Sequence, residues 1–372
     1  MSTNPIRIGL VTDQSGPLGP LGQANANIAR LVVDDINAGG GLLGRRLELI
    51  VEDSATDDAL AGRHAAKLVQ QDRVDVILGG IYSSTRLAIK AAAVTQGRTL
   101  YLYPEQYEGE ESDPLIFCTG PVPAQQVDTM VPWLMQHTDA RRFWLPAADY
   151  IWPRVMNRRV RDAVTAHGGS IVGEAYFPVD HGDYRDTVRQ IMDSGTQVVF
   201  NTTVPPGVAP FLQQLHEAGF QQRGGRVVCT YMEENFASMF PAEHVEGVYS
   251  CLDYYQAVDD AFSTALLRRY DERFPGGAKF TAGSAATGLY RGLKLWEAAV
   301  NEAGSLDQDS VLRALDHARI AQGPGGAAEM VPGQHHLRLN MYIAQVRDGR
   351  LKVVKSLGAL DPKEAQVAAG PR

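Results

Sequence analysis

A chain of 372 residues with 44% hydrophobic and 21% charged side chains is far from the composition of a disordered protein. It is long enough for two cores, since single cores stop growing near roughly 250–300 residues. A formal net charge of −8 with Lys and Arg scattered argues against a nucleic-acid partner, and no apolar run reaches the ~20 residues of a membrane span.

The first ten residues, Met1 to Leu10, contain no basic segment followed by an apolar one. The chain as it stands therefore reads as cytoplasmic, and as periplasmic if a leader has been removed. Pro5 to Val11 alternates apolar residues and runs into the turn-rich Thr12-Asp13-Gln14-Ser15-Gly16-Pro17, which predicts a strand and then a loop. From Gln23 to Asn37, Ala24, Ile28, Leu31, Val32 and Ile36 fall at helical spacing, and Gly39-Gly40-Gly41 stops the helix. Leu47–Glu52 reads as a strand, Asp57–Gln71 as a helix and Val74–Gly79 as a strand. Such alternation calls for a doubly wound, mostly parallel α/β sheet.

The pattern restarts downstream. A strand ends over Ala147–Tyr150, a helix runs to His167, Gly168-Gly169 breaks it, and Ile171–Tyr176 is the next strand. Arg189–Asn201 repeats the pattern of Lys67–Gly79, a helix end feeding a buried apolar strand. Two Rossmann-like lobes from an internal duplication are the expected architecture. Cys118-Thr-Gly-Pro-Val-Pro-Ala124 suits a hinge, and the polar tail after Leu357 is expected to end loosely held.

Chemical motifs are sparse. Gly39–Gly44 follows a helix and precedes a strand, the reverse of a dinucleotide-binding turn. Cys118, Cys229 and Cys251 are odd in number with no CxxC spacing, so they read as buried small hydrophobes. His335-His336 reads as a surface pair. No cofactor and no metal are expected. Glu105, Glu108, Glu110 and Glu111 form an acidic run that, Glu105 apart, reads as a solvated loop face.

Three loops following predicted strands carry the informative chemistry, because ligands of open α/β sheets lie beyond the carboxyl ends of the strands. Tyr82-Ser83-Ser84-Thr85-Arg86 offers hydroxyls and backbone N–H groups at a helix start, with Ser83 or Ser84 also able to cap that helix. Tyr103-Pro104-Glu105-Gln106-Tyr107 offers donors and acceptors on an apolar edge, and Asp149-Tyr150-Ile151-Trp152-Pro153-Arg154 puts two aromatics on one loop. Aromatic walls with few polar groups suit a small, largely apolar molecule with one polar end. Asn201, Thr203, Tyr231, Glu233 and Glu234 also follow predicted strands and form a second tier.

At these loops the sequence resembles the type I periplasmic-binding-protein family, in its amide- and urea-binding branch related to the branched-chain amino-acid receptors. The resemblance rests on Ile8–Gly16, Asn37–Arg45, Tyr103–Glu111, Pro121–Gln126, Asp149–Arg154 and Val198–Thr202. It implies a ligand held between two lobes by Tyr82, Ser84, Tyr103, Glu105 and Gln106 and packed against Tyr150 and Trp152. It also implies a split topology, residues 1–120 with 251–330 against 121–250 with 331–372, joined by three hinge strands. Glu105 stands where the amide sensor of the branch has threonine and its urea receptor an apolar residue, which favours a ligand offering N–H donors or positive charge. Trp152 replaces a smaller aromatic.

The function expected is non-catalytic binding of an amide, urea or related nitrogen compound, as a receptor for an ABC permease. The alternative is a cytosolic sensor acting on an antiterminator of amide-use genes. A homodimer through the first lobe is a further implication. An amidohydrolase using Glu105 would need a lysine or cysteine nucleophile beside the carboxylate, and none is evident.

Overall fold

The computed structural model describes residues 4–281 and 286–364. The expectations about Met1–Thr3 and the end of the tail, 365–372, fall outside the described residues. The chain divides into two compact units, unit 1 within Met1–Pro121, Val258–Asn340 and Ala359–Arg372, and unit 2 within Val122–Ala257 and Met341–Gly358. It therefore passes between units at 121/122, 257/258, 340/341 and 358/359, four crossings rather than the three placed from the sequence near 120, 250 and 330. The fourth arises because the last two strands form a hairpin that leaves unit 1 and returns to it.

Unit 1 opens with β1 (Ile6–Thr12), α1 (Gly19–Ala38), β2 (Leu47–Asp53), α2 (Asp58–Gln70), β3 (Val76–Gly79) and α3 (Ser83–Ile89), which runs on as a π-helical stretch over Lys90–Gln96. β4 (Tyr101–Tyr103) and β5 (Ile116–Cys118) complete a parallel sheet in the order β2-β1-β3-β4-β5. The first helix starts at Gly19, four residues before the periodicity shows, because Pro20 is tolerated in a first turn. Gly39 caps its end as expected. Asp57 caps α2, its side chain accepting from Leu60 N at 2.6 Å. The all-buried Val76-Ile77-Leu78 of β3 is the apolar run a doubly covered parallel sheet requires.

Unit 2 repeats the plan. α4 (Pro123–Thr138) leads into β6 (Arg142–Ala148), α5 (Ile151–Ala166), β7 (Ser170–Phe177), α6 (Arg185–Asp193), β8 (Val198–Phe200), α7 (Val208–Glu217), β9 (Arg226–Val228), α8 (Glu234–Ser238), α9 (Ala242–Val245) and β10 (Tyr249–Leu252). Its parallel strands run β7-β6-β8-β9-β10, the same order as in unit 1. The two segments matched in the sequence occupy equivalent places, α2 into β3 and α6 into β8. The strand expected over Ala147–Tyr150 stops at Ala148, and Tyr150 is the N-cap of α5.

The chain then returns to unit 1 as α10 (Ala261–Arg273), α11 (Ala286–Ala303), α12 (Gln308–Leu315), β11 (Arg319–Ile320) and β12 (Ala328–Val331). β13 (His336–Arg347) begins beside β5, His336 opposite Cys118, and continues in unit 2 antiparallel to β10; β14 (Arg350–Leu360) pairs with it. The three cysteines are buried and free. Among the described residues no helix is long and apolar enough to cross a membrane, and no group of three or more His, Cys, Asp or Glu could hold a metal.

Candidate functional site

In unit 1 the loops that follow β1, β3 and β4 emerge at one edge. Two glycines let them converge. A Cβ at Gly79, where φ is +117°, would fall 1.8 Å from Val11 O, and a Cβ at Gly22 of α1 would fall 1.9 Å from Asp13 O. Only glycine accepts either position. Tyr101 and Tyr103, both fully buried, donate to Gly79 O at 2.8 Å and Ile81 O at 2.9 Å, which ties the β4 edge to the loop after β3.

The acidic run is where the structure corrects the sequence most. Glu105, Glu108 and Glu111 are buried, and of the four only Glu110 is exposed. The reason is Arg86, itself buried on α3. Its guanidinium bonds Glu108 at 2.6 Å and also Glu111, to which Lys90 adds a contact at 2.6 Å. Burial pushes the Glu111 carboxyl up, but the bond from Lys90 and the charge of Arg86 outweigh it and hold it below the usual carboxylate range. Ser83 Oγ donates to Glu108 at 2.5 Å and does not cap α3; Tyr82 is the N-cap residue and Ser84 is exposed. Thr85 donates to Asp58 at 2.7 Å. The Arg86 guanidinium also lies 4.9 Å from the ring centre of Tyr107.

The same cluster corrects the histidine pair. His336 is fully buried, its Nε2 bonded to the Tyr107 hydroxyl and its Nδ1 2.6 Å from Gln334 O. His335 stacks on Phe117 at 3.8 Å between centroids. Burial pushes the His336 imidazole down to about 4. Both histidines therefore brace the start of β13 and the loop carrying Glu105. Glu105 Oε1 accepts from Gln106 N at 2.9 Å, and both side chains are buried.

Unit 2 gathers its candidates at the carboxyl ends of β6, β8 and β9. Half-buried Tyr150 meets Trp152 at 6.4 Å, Trp152 meets Tyr231 edge to face at 5.9 Å, and Tyr231 meets Phe236 at 5.2 Å. Phe236 was not singled out in the sequence. The Tyr231 hydroxyl donates to Thr203 O, and Asn201 Oδ1 accepts from Thr203 Oγ1 at 2.7 Å. Trp152 is 5% exposed, and its indole N–H has no hydrogen-bond partner. Glu233 is buried as the cap of α8, accepting from Asn235 N and Phe236 N at 2.8 Å, and Glu234 accepts from Gln256 N at 2.7 Å.

The family model for periplasmic binding proteins matches residues 5–350. The chain belongs to the periplasmic binding protein family. A curated relative, the Leu/Ile/Val-binding protein homolog 8 of Brucella melitensis, is 25% identical over 94% of this chain and 90% of its own. Among solved structures, this periplasmic binding protein is similar to an amino acid ABC transporter substrate-binding protein from Pseudomonas fluorescens (TM-score 0.85, 19% identity, 99% and 100% of the two chains). It is similar also to an ABC transporter solute-binding protein from Rhodopseudomonas palustris solved with 3,4-dihydroxybenzoic acid (TM-score 0.84, 22% identity, 96% and 99% covered). At these identities the structural likeness is one of fold.

Proposed function

We propose that the chain is a non-catalytic solute receptor for an ABC permease, taking a small amide, urea or related nitrogen compound. Differential contacts with the bound solute favour one form of the receptor, which the permease reads. Delivery to a permease is preferred to restraint of an antiterminator because similar proteins carry ABC-transporter names.

The observation that carries the reading is the unpartnered indole N–H of Trp152 within the Tyr150–Trp152–Tyr231–Phe236 cluster. A buried donor calls for an acceptor, and an apolar wall around it calls for a small solute whose one polar end is a carbonyl or carboxylate oxygen. An amide or urea carbonyl fits. An aromatic carboxylate is the second reading, favoured by the same four rings.

A thermal-shift panel of acetamide, urea, 3,4-dihydroxybenzoate and leucine tests both. Stabilisation by acetamide or urea, lost in Trp152→Phe, supports the first reading; stabilisation by the benzoate alone moves the protein to the second. No stabilisation by any of them overturns the proposal.

A further inference from the structure

Asp13 is the first residue after β1, and the sheet order turns back on itself there: from β1 the chain goes to β2 on one side and then to β3 on the other. Ligands of doubly wound sheets gather beyond the carboxyl ends of the strands at this reversal. The backbone of Asp13 is held by the close approach of Gly22, and Gly80 N donates to Val11 O at 2.9 Å just before it.

Its carboxylate is half committed. Oδ1 accepts from Ser54 Oγ at 3.0 Å and from Thr56 N at 2.7 Å. Oδ2 is buried with no hydrogen-bond partner, in a residue 1% exposed. Tyr82, a candidate ligand residue, lies within the field of this group: burial first, then the charges of Asp13 and Asp58, hold its hydroxyl well above the ordinary tyrosine range. Burial likewise raises the Asp13 carboxyl, against the bonds from Ser54 and Thr56 that lower it.

We infer that Asp13 Oδ2 receives an N–H of the bound solute, which makes Asp13 a specificity residue for nitrogen compounds in unit 1. The inference rests on the solute-receptor reading above. With Oδ1 fixed by two donors, Oδ2 is left as an acceptor of defined direction, and an amide or urea NH2 group or an ammonium meets it. Unsubstituted benzoate, whose oxygens are all acceptors, does not. Asp13 as acceptor thus selects a solute bearing an N–H.

The test is titration calorimetry of the full chain with acetamide, urea and unsubstituted benzoate, comparing wild type with Asp13→Asn. Ser54 and Thr56 keep the asparagine carbonyl where Oδ1 was, so its NH2 takes the place of Oδ2 and a ligand N–H meets a donor. Acetamide and urea should weaken at least about tenfold, while the benzoate holds or gains. Asp13→Ala, which removes the acceptor without adding a donor, gives the same reading should the asparagine variant not fold. Unchanged affinities in both variants mean that Oδ2 meets only water and overturn the inference; equal weakening of all three probes shows a structural role and also overturns it. If no probe binds the wild type, the receptor reading itself has failed, and the inference falls with it before any variant is compared.

Discussion

Trp152 and His336 show how little of a side chain's role its residue type reveals. The indole of Trp152 was legible as an aromatic wall, but the lack of a partner for its N–H depends on what surrounds it in unit 2. Trp152→Phe keeps most of the ring area and removes the donor. It should weaken a carbonyl-bearing solute by about 1–2 kcal/mol, read by calorimetry, while leaving the unfolding midpoint of the free protein nearly unchanged. His336 reads as polar and superficial beside His335, yet it is sealed against Tyr107 near Arg86, Glu111 and His335. Its folded value of about 4 lies below the ordinary 6.5. Above 6.5 the imidazole is neutral folded or unfolded and adds no pH dependence. As pH falls from there toward 4 the unfolded chain takes up a proton that the folded chain refuses, so stability drops with falling pH, on the order of 1 kcal/mol per unit. Denaturant midpoints between pH 4 and 6.5 should show this slope, and His336→Gln should flatten it. Asp13 was passed over because an aspartate after a strand reads as a turn former; only the sheet order reveals that it stands at the reversal.

The loop between β4 and β5 shows the limit of local reading at the scale of an element. Its acidic run looks solvated in the sequence because the cation that buries it, Arg86, lies 22 residues from Glu108 and 25 from Glu111. Arg86→Met should cost about 3–5 kcal/mol, since it leaves Glu108 without its charged partner and Glu111 with Lys90 alone inside the protein. Chemical unfolding measures that loss, and a value under about 1 kcal/mol would mean that the carboxylates reach water. Gly79 makes a second case. Gly79→Ala faces roughly 1–2 kcal/mol of backbone strain with an overlap on Val11 O in addition. Gly182→Ala, with open space where its Cβ would lie, should stay within about 0.5 kcal/mol. The strands and helices around these points were readable because apolar periodicity and caps are local; ion pairs and close backbone approaches are not.

At the scale of the molecule, the alternation of strands and helices and its restart near residue 140 carry the architecture, and the order 2-1-3-4-5 recurs in both units. The crossings at 340/341 and 358/359 were less legible, because β13 and β14 each run from one unit into the other without a break that composition would mark. The recurrence matters for function: each unit brings the ends of its parallel strands to one edge, Asp13 and the Glu105 loop in one, Trp152 and Tyr231 in the other. Each edge carries a buried polar atom without a hydrogen-bond partner, Asp13 Oδ2 in one and the Trp152 indole N–H in the other. A bound solute at 100 times its Kd should add about 2.7 kcal/mol of stability, since the unfolded chain does not bind it. The measurement that bears most directly on this account is titration of the full chain with acetamide and urea, followed by proton NMR of the recovered solute. The account predicts saturable binding of one equivalent and solute recovered unchanged; absence of binding, or release of acetate or ammonia, would contradict it.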